Sequence, residues 1–102
     1  MSENTSTEQT YALPPTKVFT HAAKIAIVED RPIMLDYWVD SLNGNGKVII
    51  GVRENGEKLL VKSEDEYTSP VGKIYKVDDC YICVTENSIY LVSSNVKTKR
   101  IS

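Results

Sequence analysis

The sequence predicts a mainly β or α+β domain, with about six antiparallel strands curled into a small barrel or roll and one short N-terminal helix. Three observations lead there. Residues 71–92, VGKIYKVDDCYICVTENSIYLV, read as a three-stranded meander rich in aromatic and β-branched residues. Pairing within that meander leaves both of its faces largely apolar. Asn55-Gly56 between alternating apolar runs is the strongest short-range hairpin signal available.

The meander's register follows from its turns. Glu86-Asn87 as a loop sets Thr85 opposite Ser88, Val84 opposite Ile89 and Ile82 opposite Leu91. Cys80, Ile82, Val84, Ile89 and Leu91 then share one face, while Tyr81, Cys83, Tyr90 and Val92 share the other. A one-residue slip would mix the two sets. With Asp78-Asp79 at the tip of the preceding hairpin, Tyr75 and Val77 join the first face. A sheet apolar on both sides needs cover on both, by closing into a barrel or by packing under a helix.

The remaining elements follow in chain order. Residues 1–17 are rich in Thr, Ser, Glu and Pro and read as a flexible arm, with Tyr11 and Leu13 able to pin its end to a single domain over residues 18–102. Residues 19–30, FTHAAKIAIVED, fit a helix capped by Thr20 and ended before Pro32. Ile25-Ala26-Ile27-Val28 also fits a short buried strand, but the sheet's need of a lid favours the helix. After Pro32, alternation sets Ile33, Leu35, Tyr37 and Val39 on one face and Met34, Asp36, Trp38 and Asp40 on the other, which predicts a strand. Asn43-Gly44-Asn45-Gly46 is a connection of residues that accept positive φ.

The hairpin across Glu54-Asn55-Gly56-Glu57 is expected to pair Val52 with Leu59 and Ile50 with Val61, with Val48 on the same face. Ser63-Glu64-Asp65-Glu66 forms an acidic loop. Residues 95–102 form either a last strand through Val96, Thr98 and Arg100 or a basic extension.

Composition narrows the function classes. A chain of 102 residues has room for one domain. Its apolar fraction of 41% and charged fraction of 25% are those of a globular protein. The net charge of −2 gives no global positive field to draw it to nucleic acid or an anionic membrane. Residues 1–70 carry 7 Lys/Arg against 11 Asp/Glu, and residues 71–102 carry 5 against 3, so only the C-terminal third is mildly basic. No apolar run reaches a membrane span's length, and the polar N-terminus resembles neither a secretory signal nor a transit peptide, which points to an intracellular, cytoplasmic setting. Asn4-Thr5-Ser6 matches a glycosylation acceptor and means little without such a signal.

The motifs that suggest chemistry give way on inspection. Cys80-Tyr81-Ile82-Cys83 has the spacing of redox and zinc sites. On a strand, an odd separation points the two thiols to opposite faces, and His21 is the only histidine that could join a metal. Two buried, reduced cysteines are expected instead. Asp36 and Asp40, four residues apart on a strand, would lie roughly 13 Å from each other, too far for a carboxylate pair. No nucleophile elbow, phosphate loop or calcium loop is present, so no catalytic residue, metal or cofactor is assigned.

Two resemblances bear on the chain. Lys24-Ile25-Ala26-Ile27-Val28-Glu29-Asp30-Arg31-Pro32 resembles the opening of a response-regulator receiver domain, where a strand ends in an acidic pair. That family next requires a strand ending in a phospho-accepting Asp, and nothing after Leu60 supplies it. The strings EDRPIMLDYW, EYTSP and TENSIY are similar to ones in short proteins of large DNA viruses. This likeness implies a viral or infected-cell setting and carries no active site.

A small non-enzymatic protein–protein interaction or assembly module is therefore expected. Trp38, Tyr37, Tyr81 and Tyr90 are the candidate partner-binding residues, and self-association as a homodimer would also hide an apolar sheet face. The alternative is a single-stranded nucleic-acid-binding barrel using Lys73, Tyr75, Lys76, Lys97, Lys99 and Arg100.

Overall fold

The computed structural model describes residues 13–42 and 47–101. The first twelve residues of the expected arm, including Tyr11 and the Asn4-Thr5-Ser6 sequon, lie outside them, as does the Asn43–Gly46 connection.

One helix, α1 (Thr16–Glu29), precedes eight strands: β1 (Ile33–Met34), β2 (Ile49–Val52), β3 (Lys58–Ser63), β4 (Glu66–Tyr67), β5 (Val71–Val77), β6 (Cys80–Thr85), β7 (Ile89–Ser93) and β8 (Lys97–Arg100). The expected helix is present but begins four residues before Thr20. Pro15 caps it at φ −56°, and the Phe19 N–H donates to the Pro15 carbonyl at 3.0 Å. Proline's ring fixes its φ near this angle, and no side-chain hydrogen bond caps α1. Pro14 is buried, and the folded unit thus reaches back into the segment read as an arm. The helix stops at Asp30, whose φ of 57° is left-handed, and Pro32 follows.

The strands form two four-stranded sheets, ordered β1-β7-β6-β5 and β4-β3-β2-β8. The meander register is as expected: Val84 pairs with Ile89, Ile82 with Leu91, and Val77 with Cys80 across a tight Asp78-Asp79 tip. Its two faces build two cores. Cys80, Ile82, Val84, Ile89 and Leu91 pack under Val18 and Ala22 of α1 together with Trp38. Cys83 and Val92 pack against Ile50 and Leu60 of the second sheet and Val48 just before it, with Tyr37 beside them and Tyr81 and Tyr90 at the margin. The order of layers is helix, sheet, sheet. Both faces of β6 and β7 are covered by the chain itself, while residues 72–76 of β5 are exposed.

Four expectations need correction. No closed barrel is found; the molecule is two stacked sheets. The pairing is not wholly antiparallel, because β1 runs parallel to β7 and β8 parallel to β2.

The strand expected after Pro32 survives only as Ile33–Met34. The Trp38 N–H donates to the Leu35 carbonyl at 3.1 Å, and a 3-10 turn, Val39–Ser41, follows. That turn is fastened by one hydroxyl: Ser41 Oγ donates to the Trp38 carbonyl at 2.6 Å and accepts from the buried Ser93 N–H at 2.9 Å. Asp36, Trp38 and Asp40 consequently do not share a strand face.

The hairpin between β2 and β3 is offset by one residue from expectation: Val52 pairs with Lys58, Gly51 with Leu59 and Ile50 with Leu60. Gly56 adopts φ 91°, and the Arg53 N–H donates to the Glu57 carbonyl at 2.8 Å, closing a three-residue loop instead of four. The slip moves Leu60 onto the inner face and Leu59 and Val61 onto the outer one. There Ile101 lies over Gly51, where an added Cβ would stand 2.8 Å from its Cδ1.

Candidate functional site

One feature open to a partner is β5 and the groove between it and α1. Among the described residues, β5 is hydrogen-bonded to β6 along one side only and ends its sheet on the other. In a strand, alternate main-chain groups point away from the paired neighbour, so this seven-residue edge presents unused donors and acceptors.

Helix and strand are matched in length. Fourteen helical residues span roughly 21 Å and seven strand residues roughly 23 Å. They run antiparallel, with an ion pair at each end of the groove. Lys17 Nζ lies 3.6 Å from Asp78 at one end, and Lys73 Nζ lies 3.1 Å from Glu29 at the other. The hydrogen bond and charge of Lys73, followed by the charge of Arg31, hold the Glu29 carboxyl below its ordinary pKa. The same hydrogen bond and carboxylate charge raise the Lys73 ammonium. Arg31 also donates to the Glu86 carbonyl at 3.0 Å, so the helix end is tied to the β6–β7 turn as well.

Between these clasps lies a hollow of about 550 Å³, with Ile82 and Val77 beneath and His21, Lys24, Ile25 and Tyr75 around it. A smaller hollow of about 180 Å³ continues it past Val28. Tyr75 is 40% exposed and Val28 80%, so apolar surface stands open on the α1 side of this strand edge. The stripe Lys17, His21, Lys24 and Val28 forms the helical wall, at the i, i+4, i+7, i+11 spacing of one helix face. That wall was not singled out in the sequence. The signal was present in this spacing, but a helix starting at Thr20 leaves Lys17 outside it.

The expected partner-binding residues do not assemble into one surface. Trp38 is only 4% exposed and lies under α1, while Tyr37 is 5% exposed on the far side of the first sheet. Tyr37 meets the Tyr90 ring edge-on at 5.4 Å and carries Lys62 Nζ 4.7 Å from its ring centre. Burial first, then the charge of Glu66, push the Tyr37 hydroxyl up to about 12. Lys62 also faces Asp40 at 3.5 Å and Glu66 at 3.6 Å. Tyr81 and Tyr90 are half-buried at the edge of the same core.

The residues of the nucleic-acid alternative divide between two outer strands of different sheets: Lys73, Tyr75 and Lys76 on β5, and Lys97, Lys99 and Arg100 on β8. Tyr75 and Tyr81 point to opposite faces, as expected.

Cys80 and Cys83 are free, buried and on opposite sides of β6, in separate cores. Burial raises both thiols, with the charges of Asp79 and Asp78 adding at Cys80, and Cys83 reaches about 12. The thiolate is the reactive form of cysteine, so burial that keeps the thiol protonated lowers its reactivity. Among the described residues, no group of three or more His, Cys, Asp or Glu is placed to hold a metal, and no helix is long and apolar enough to cross a membrane.

The fold and groove define an α+β domain of two stacked sheets, one of them capped by a helix, with a free edge beside an apolar furrow. No protein-family model matches the chain, and neither a curated protein nor a solved structure matches it.

Proposed function

We propose that this domain is a non-enzymatic protein-interaction module that takes an extended segment of a partner as an added strand along β5. The observation that carries this reading is the seven-residue edge of β5, unpaired on one side and lying beside the furrow under α1. Main-chain pairing along such an edge supplies affinity, and pockets for alternate side chains supply selectivity. The groove side of the added strand would meet Ile25, Tyr75 and the floor at Ile82, where apolar side chains lose water. The likeness to short proteins of large DNA viruses would set such a module in an infected cell, as an adaptor or assembly piece.

The reading is tested by selecting binders from a library of random linear peptides and mapping them by amide chemical shifts. Bound peptides are expected to perturb the amides of β5 and to show cross-strand contacts with them. Perturbations confined to β4, β8 or the far face of the second sheet would remove β5 as the site.

A further inference from the structure

Resting on that reading, we infer that the segment β5 accepts is acidic: an extended peptide with apolar side chains at alternate positions and carboxylates between them. The furrow's ion pairs use Lys17 and Lys73 with Asp78 and Glu29, one pair at each end. Lys24 and Lys76 lie between those ends, and neither makes an ion pair among the described residues. His21 lines the same furrow. The open stretch of the edge therefore offers cations without offering anions.

The pleat sets the pattern. Lys73, Tyr75 and Val77 pair with Val84, Ile82 and Cys80 and share their face, toward α1. Ile74 and Lys76 point to the other side. A strand laid against β5 places every second side chain in the furrow, against Ile25 and Tyr75, and the side chain opposite Lys76 on the other face. An anion there completes a cross-strand pair of opposite charge, whereas a lysine would be repelled. Lys24, at the furrow's rim, can lay its methylenes over an apolar side chain and bring its ammonium to a neighbouring carboxylate.

A second copy of this chain fits less well. Edge-to-edge pairing of two β5 strands would gather both copies' Lys24, Lys73 and Lys76 at one seam, with Glu29 and Asp78 already engaged. Lysines on an edge strand are a known guard against such self-pairing. The bulge between Val71 and Lys73 adds to it.

The test uses three fluorescent synthetic peptides of alternating valine with glutamate, glutamine or lysine, titrated onto the whole chain. The glutamate peptide is expected to bind about fivefold tighter than the glutamine peptide, with the lysine peptide weakest and the preference fading as salt is raised. Lys24→Glu and Lys76→Glu together are expected to invert the ranking, while Lys58→Glu on the second sheet leaves it unchanged. Circular dichroism confirms that each variant is folded.

Equal binding of the glutamate and glutamine peptides at β5 would overturn the acidic preference and leave strand capture standing. Binding by none of the three, or only away from β5, would overturn both. A β5-mediated dimer seen by sedimentation would overturn the choice of occupant.

Discussion

At the scale of single residues, Cys83 shows how strand geometry decides chemistry. The C-x-x-C spacing alone suggests two thiols that cooperate. On β6 the odd separation sends Cys80 toward α1 and Cys83 between the sheets, and burial leaves the Cys83 thiol ionising near 12 instead of its ordinary 9.0. This has a consequence for stability. Between those two values the unfolded chain has released the Cys83 proton while the native chain keeps it. The native state then binds more protons, so stability falls as pH rises through this window. The slope is up to about 1.4 kcal/mol per pH unit for one group. Tyr37, raised from 10.0 to about 12 chiefly by burial, adds to the loss in the upper part of the window. Urea unfolding at about pH 8 and about pH 10 should therefore show a drop of roughly 1 kcal/mol that shrinks in Cys83→Ala. An equally steep drop in that variant would assign the loss elsewhere.

At the scale of elements, what could be read from the sequence depended on how many residues each turn fixes. Asp78-Asp79 and Glu86-Asn87 set the meander's register, and the side chains of Cys80–Val84 and Ile89–Val92 then fell on their expected faces. Asn55-Gly56 marked a hairpin equally well. Gly56 at φ 91° makes the loop odd-numbered, and the pairing is thereby displaced by one residue. Residues 33–40 misled for a different reason. Tyr37 goes between the sheets, whereas Trp38 packs under the helix with Ile33 and Leu35, so the expected alternation fails and a turn rather than a strand separates Tyr37 from Trp38. No local pattern announces a turn held by a serine hydroxyl 52 residues from its partner. Ser41→Ala should accordingly cost about 1–3 kcal/mol in chemical denaturation, because the Ser93 N–H is left buried without an acceptor. A loss below about 0.5 kcal/mol would show that the turn is held by its packing alone.

At the scale of the whole molecule, the meander contributes to both cores, as does the turn carrying Tyr37 and Trp38. A sheet apolar on both sides needs cover on both, and around β6 and β7 the chain supplies it, with α1 on one side and the second sheet on the other. The furrow was not legible in the same way, since it depends on where α1 comes to lie beside β5. Because β6 and β7 contribute buried side chains to both cores, loosening one core should loosen the other. Ile82 belongs to the core under α1 and Leu60 to the core between the sheets, and both are 0% exposed. Truncating either to alanine should cost about 2–5 kcal/mol, a large share of the roughly 5–15 kcal/mol a small domain possesses. Each core holds its own reporter: Trp38 fluorescence follows the first, and near-ultraviolet dichroism from the Tyr37–Tyr90 pair contributes a signal from the second. In Ile82→Ala and in Leu60→Ala alike, both signals should shift together to one lower urea midpoint. If Leu60→Ala moved the tyrosine signal while Trp38 kept its original midpoint, the two cores would be separate folding units and the shared meander would not couple them.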